Sequence, residues 1–281
     1  MSNDIADYKI PFVRDGVDVV RFFGMPSLSL SFFKQLRHFL GLVTSLTPAA
    51  LTITDARENP LDFATCGFKL ASMASEITDW DDESQLAAYK AEVEALAGEL
   101  HPRAKRFVWM DFLKRGGPGN NKPAVDGPHL DYYQDWQATM EYGGHAESGK
   151  ADEPDVVLGV WRPVLMSNPV LDYPFVYMDA STFEPTDQVR FEQEFSLLTP
   201  EGKKTVKNLA AHAHHREGQR WYYHREQTCR EVLLFTHYTK ATFRANVHCA
   251  VKQEMGAGLQ TRQSLENRLL IFYDDEEPNT I

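Results

Sequence analysis

The spacing of apolar residues changes character about a third of the way along the chain. From Ser84 to Leu100, the residues Leu86, Tyr89, Val93, Leu96 and Leu100 recur at steps of three and four, which gathers side chains on one helix face. Lys90, Glu92, Glu94 and Glu99 supply the polar side, and Asp82 with Gln85 three residues later resembles a capping box. Upstream, extended runs at Val17 to Phe23 and Leu51 to Asp55 flank a stretch, Ser31 to Val43, that reads as another helix. After Pro102 the pattern turns to short aromatic or β-branched runs: Arg106 to Lys114, Val156 to Val164, Pro174 to Phe183, Arg230 to Thr239, Ala241 to Val251 and Arg268 to Asp274. Helices do not alternate with these runs, so a sandwich or jelly roll is expected rather than a parallel α/β sheet. The polar, Gly-rich segments Gly116 to Gly127 and Gly143 to Asp155 read as loops over a cavity mouth. No linker interrupts the chain. One domain is expected over residues 1–281, with a mixed α/β part (1–101) packed on a β core (102–281).

Composition narrows the function classes. The 281 residues are 43% hydrophobic and 12% aromatic, enough for a large core. With 29 Lys and Arg against 40 Asp and Glu, the net charge is −11, and no basic run offsets it. That argues against a protein that tracks nucleic-acid phosphates. No apolar stretch is long enough to span a bilayer. The start, MSNDIADYKI, is acidic and has no apolar segment of a secretory signal. Cys66, Cys229 and Cys249 are odd in number and far apart, as expected of reduced thiols in a cytoplasmic protein.

The sharpest local feature is His129-Leu130-Asp131, directly after Gly127-Pro128. On a strand, residues two apart share a face, so imidazole and carboxylate aim at one point. Nitrogen and oxygen donors with open positions suit non-haem Fe(II) once a second His arrives from another strand. His248 lies in the apolar run Val247 to Val251, and Arg262 and Ser264 follow it. A guanidinium takes a carboxylate bidentately and a hydroxyl adds a donor, so this pair suits the distal carboxylate of a cosubstrate such as 2-oxoglutarate. His212, His214 and His215 compete for the third ligand position, but no Arg-x-Ser pair follows them at a suitable distance, and they read as a loop or cavity rim. His237, on an apolar strand, reads as a satisfied core histidine. Arg162 is either an inward cation near substrate or a structural strand arginine. Tyr133 and Trp136, just past the His-x-Asp, are candidates to line a substrate pocket.

At this point the chain resembles the CmcJ/AsaB-like (CmcJ/NvfI) group of Fe(II)- and 2-oxoglutarate-dependent oxygenases. The likeness runs through Ile53 to Arg57, Gly67-Phe68, His129 to Tyr132, Val160-Trp161-Arg162-Pro163, Gln219 to Tyr223 and the Arg262-x-Ser264 end. It implies a double-stranded β-helix (a cupin-like jelly roll) with flanking helices. It also implies iron on His129, Asp131 and His248, 2-oxoglutarate and O2 as cosubstrates, and a small, largely apolar natural product as substrate. Hydroxylation, desaturation and endoperoxide formation share this metal shell, and a homodimer is compatible with it. The chain departs from the group's usual pattern at His224-Arg225, after the Tyr pair, and at Val247, before the distal His. Two rival readings remain: a non-catalytic partner of a two-protein oxidising system, and a cupin-like metal protein that does not use 2-oxoglutarate.

Overall fold

The structure is a computed structural model describing residues 5–15, 19–24, 46–116, 124–125, 127–143, 152–199, 202–252 and 261–273. The helix expected from Ser31 to Val43 lies outside these residues, as do large parts of both Gly-rich loops. In chain order the elements are β1 (Ile5–Val13), β2 (Val19–Gly24), β3 (Leu46–Asp55), α1 (Phe63–Cys66), β4 (Phe68–Ser72), α2 (Glu83–Leu100), β5 (Ala104–Arg115) and β6 (His129–Leu130). There follow α3 (Trp136–Gly143), β7 (Val156–Pro163), β8 (Phe175–Met178), β9 (Gln188–Thr199), β10 (Gly202–Ala213), β11 (Trp221–Tyr223), β12 (Glu231–Thr239), β13 (His248–Ala250) and β14 (Ser264–Tyr273).

The strands form two sheets. One has nine strands in the order β1-β3-β11-β8-β13-β6-β10-β9-β2, and the other has five, β4-β12-β7-β14-β5. Most neighbours are antiparallel; β11 with β3 and β2 with β9 are parallel. The mainly β jelly roll expected from the sequence is what the chain adopts.

Alternation along each strand sorts core from site. On β12, Val232 and Leu234 join the cluster beneath α2, while Leu233 and Phe235 join the cluster between the sheets. On β14, Leu265, Leu269 and Ile271 face α2, so Ser264, Glu266 and Arg268 turn inward. Helix α2 covers the outer face of the five-stranded sheet with Tyr89, Val93 and Ala97, one every fourth residue and all fully buried. The Tyr89 hydroxyl donates to Asn267 Oδ1 at 2.7 Å. Burying side chains of the Tyr89 and Val93 kind contributes about 1.5–3 kcal/mol each. Asp82 caps the helix by accepting from the backbone N–H of Ser84 (2.9 Å) and Gln85 (3.2 Å). Gln85 donates to the Asp82 carboxylate and accepts from the Thr78 N–H; this is an Asp cap with a side-chain brace rather than a reciprocal box.

Three strand expectations shift. The run from Ala241 to Val251 contributes only the three residues of β13, and the run from Pro174 to Phe183 stops at Met178, where Asp179 caps a 3₁₀ turn over Ala180–Thr182. The long β9–β10 hairpin, paired from Thr199↔Gly202 to Gln188↔Ala213, was not foreseen. Its alternate positions carry Arg, Glu, Gln and Lys, which mask the apolar half.

Arg162 lies on the outer face of β7, opposite Leu265. Its Nε donates to Cys229 O at 3.0 Å and its Nη1 to Ser75 Oγ at 3.0 Å, and its Nη2 donates to the carbonyls of Cys229 and Ser75. It is a structural pin, and the inward-cation alternative is set aside.

Candidate metal centre

Strand β6 lies between β13 and β10, and His129 pairs across to His248 on one side and to His212 on the other. Tyr177 of β8 follows His248 in the same row. Cross-strand partners share a face, so the row points between the sheets while Leu130, Val247 and Cys249 point into the core behind it. The donor atoms of His129, Asp131 and His248 all lie within 4.8 Å of one another. The His129 Nε2 is 3.7 Å from Asp131 Oδ1, and the two imidazole centroids are 4.4 Å apart.

Each ring is held from behind by a backbone carbonyl. His129 Nδ1 meets Gly127 O at 2.7 Å, and His248 Nδ1 meets Asn246 O at 3.1 Å. A carbonyl only accepts, so both protons are assigned to Nδ1 and the Nε2 lone pairs face forward. The buried Nε2 of His248 has no hydrogen-bond partner among the described residues. Burial pushes the His129 imidazole down to about 4, with His248 adding to the effect and Asp131 opposing it. Burial likewise lowers His248. Burial alone would raise the Asp131 carboxyl, but Arg268 together with His237, His248 and His129 outweighs it and holds the group well below the usual carboxylate range. Two neutral imidazoles and one carboxylate therefore converge at neutral pH. This donor set fits a divalent transition metal.

Several neighbours were missed in the sequence. Arg268 Nε donates to Asp131 Oδ2 at 2.8 Å, and its Nη1 pairs with Asp111. His237 is fully buried, yet neither ring nitrogen has a hydrogen-bond partner among the described residues. Its Nε2 lies 3.6 Å from Asp131 Oδ2, so it borders the site and is not the satisfied core histidine expected. Gly159 makes room for it: a Cβ there would sit 2.4 Å from the Phe235 ring and 2.7 Å from His237 Nε2. Glu266 is buried beside Asp131, and both burial and that neighbour push its carboxyl up. A sequence signal was available: Ser264, Glu266 and Arg268 stand two apart, a polar stripe on one face of β14.

Arg262 lines a small cavity together with His129, His248, Trp161 and Phe175. The Arg262 guanidinium sits 5.4 Å over the Trp161 ring and donates to Tyr173 O. Burial, with Arg115 nearby, lowers it to about 10. The buried Ser264 hydroxyl has no partner among the described residues. Ser264 opens β14 and Arg262 stands two residues before it, off the strand.

The His212 cluster is neither loop nor solvated rim as a whole: His212 is a buried residue of β10, with Nδ1 on Pro128 O at 3.0 Å and its ring 4.3 Å from that of Phe191. His214 Nδ1 meets Val13 O at 3.1 Å. Trp136 stacks on Tyr132 and packs against Tyr238, and Tyr133 lies under Arg190. Neither of these two candidates lines the cavity between the histidines and Arg262.

The whole architecture is a jelly roll shared with solved enzymes. It superposes on the iron and alpha-ketoglutarate-dependent endoperoxidase NvfI with a TM-score of 0.70, at 20% identity, covering 95% of this chain and 97% of that one. A second structure of that enzyme, in a different conformation, gives 0.71 at 22% identity, covering 95% and 97%. A family model described as Oxidoreductase/YMDC permease-like domain matches residues 41–272, and the chain belongs to that family. It is 23% identical to a hydroxylase/desaturase, efuI, of Hormonema carpetanum over 259 residues, covering 81% of this chain and 84% of that protein. It is 27% identical to aspirochlorine biosynthesis protein N of Aspergillus oryzae over 130 residues, covering 43% and 49%. The resemblance to the CmcJ/NvfI-like oxygenases is borne out by these relatives and neighbours. No described helix is long and apolar enough to cross a membrane.

Proposed function

We propose that this chain is a Fe(II)- and 2-oxoglutarate-dependent oxygenase that oxidises a small, largely apolar natural product in secondary-metabolite biosynthesis. The observation that carries the reading is that the donor atoms of His129, Asp131 and His248 lie within 4.8 Å of one another, and that His129 and His248 line one small cavity with Arg262. In this reading His129, Asp131 and His248 hold Fe(II), and Arg262 with Ser264 takes the far carboxylate of 2-oxoglutarate. Bound iron, with 2-oxoglutarate and O2, supplies the oxidising power to remove hydrogen from an unactivated carbon. The chain supplies placement. The carbonyls of Gly127 and Asn246 keep the ring protons on Nδ1, and Arg268 keeps Asp131 ionised. Phe175, stacked on His248 at 5.2 Å, and Phe235, edge-on at 5.1 Å, exclude water from one side of the site. The three cysteines are free thiols, which suits a reducing cytoplasm.

The test is an anaerobic titration of metal-free protein with Fe(II) and then 2-oxoglutarate, followed by visible absorption. A weak charge-transfer band is expected in the wild type and in Tyr133→Phe, and none in His248→Ala. Iron binding without the band would favour a cupin-like metal protein, and no iron binding would favour a non-catalytic partner.

A further inference from the structure

The cavity between the histidines and Arg262 holds two further charged groups with no role so far, Arg115 and Glu266. Arg115 ends β5 and stands directly opposite Ser264 of β14, so their side chains share the inward face. The next residue, Gly116, has φ +68°, and a Cβ there would lie 2.3 Å from the Arg262 carbonyl oxygen. Only glycine permits so close a backbone approach in that conformation. Residues 115 and 262 are therefore neighbours by construction.

Arg115 Nε lies 3.9 Å from Glu266 Oε2, with the two side chains 16% and 6% exposed. Arg262 forms no ion pair among the described residues; its backbone N–H donates to the Asp172 carboxylate. Asp131 pairs with Arg268, which also pairs with Asp111. The Arg115 and Arg262 guanidiniums line one small cavity, and the Ser264 hydroxyl opposite Arg115 has no partner among the described residues. Such donors in a nearly dry space are best satisfied by an entering anion.

We propose that Arg115 is a second guanidinium of the dicarboxylate subsite, resting against Glu266 and sharing with Arg262 and Ser264 the carboxylate that enters. The proposal rests on the oxygenase reading above and adds a binding residue to it. Arg115 ends β5 and Arg262 stands just before its neighbour β14, so both guanidiniums are placed to donate to one carboxylate. Arg115 therefore sets the preference for a five-carbon 2-oxo diacid over a 2-oxo monoacid.

The experiment compares 2-oxoglutarate with 2-oxobutyrate, which has the same keto-acid end and no distal carboxylate, on Mn(II)-loaded protein by calorimetry. Losing a charge-assisted hydrogen bond should weaken 2-oxoglutarate binding about 10- to 100-fold in Arg115→Met. Arg115→Lys should recover part of that loss. Affinities for 2-oxobutyrate and for Mn(II) alone should stay within about twofold, and thermal melting confirms that each variant is folded. Equal weakening of both acids, or of neither, would overturn the assignment. If the wild type itself shows no preference for 2-oxoglutarate over 2-oxobutyrate, the oxygenase reading fails and this proposal falls with it.

Discussion

Asn246 is the residue whose replacement tests the construction of the site most directly. It is fully buried, two residues before His248. Its Nδ2 donates to the carbonyls of Cys66 and Met178, both at 2.8 Å, and its Oδ1 accepts from the Thr236 N–H at 2.8 Å. One amide thus ties the end of α1, strand β8 of the large sheet and strand β12 of the small one. In Asn246→Ala, the Thr236 N–H keeps a second acceptor in Gly67 O at 3.0 Å, so the main loss falls on two buried carbonyls. At about 1–3 kcal/mol for each group left without its partner, the variant should lose about 3 kcal/mol. That is a large share of the roughly 5–15 kcal/mol typical of a domain. Asn246→Asp should be worse, because a carboxylate then faces both carbonyls. Urea unfolding reads the result as a lower midpoint at unchanged slope. Metal affinity should also fall about tenfold, since the side-chain amide anchors the backbone whose carbonyl orients the His248 ring. A loss below about 1 kcal/mol in the alanine variant, or wild-type stability in the aspartate variant, would refute the reasoning.

Other outcomes follow from single contacts. Arg162→Met should cost about 2–3 kcal/mol by stranding the carbonyls of Ser75 and Cys229, yet leave 2-oxoglutarate affinity unchanged; melting and calorimetry on one preparation separate the two. Gly159→Ala should cost about 1–3 kcal/mol by overpacking against Phe235 and His237, seen as a lower Tm. Burial holds the His101 and His224 imidazoles down to about 4 from 6.5. Below about pH 6.5 the unfolded chain takes up protons that the folded chain refuses, so stability should fall from there to about pH 4, by on the order of 3 kcal/mol for each ring. Urea midpoints at about pH 7, 5.5 and 4 should show a shallower decline in His101→Gln than in the wild type.

Legibility in the sequence followed the strength of the local pattern. Helix α2 was readable because Leu86, Tyr89, Val93 and Leu96 repeat at helical spacing within its 18 residues. The proposed ligand set was suggested by His129 and Asp131 standing two apart and by the Arg262-x-Ser264 pair downstream of His248. Strands β9 and β10 were not, because one face of the hairpin carries charge and the apolar half is thin. The burial of His212 was hidden for the same reason. The significance of His237 was hidden for a different one: it lies in nearness to Asp131, more than a hundred residues away in sequence, and only sheet register creates it.

That register also explains why so small a strand as β13 can carry a proposed metal ligand. Its three residues alternate Cys249 toward the core behind the sheet and His248 toward the site. A slip of one residue would exchange them, placing a thiol at the metal and an imidazole in an apolar core. Four ladder pairings, three to β8 and one to β6, are weak protection against such a slip. The Asn246 amide, clamped to Cys66, Met178 and Thr236, fixes the chain immediately upstream, and Val251 N–H donates to Pro174 O at 3.2 Å immediately downstream. The position of His248 is therefore set from both ends of the strand more than by the strand itself, and metal affinity should respond to residues that never touch the metal.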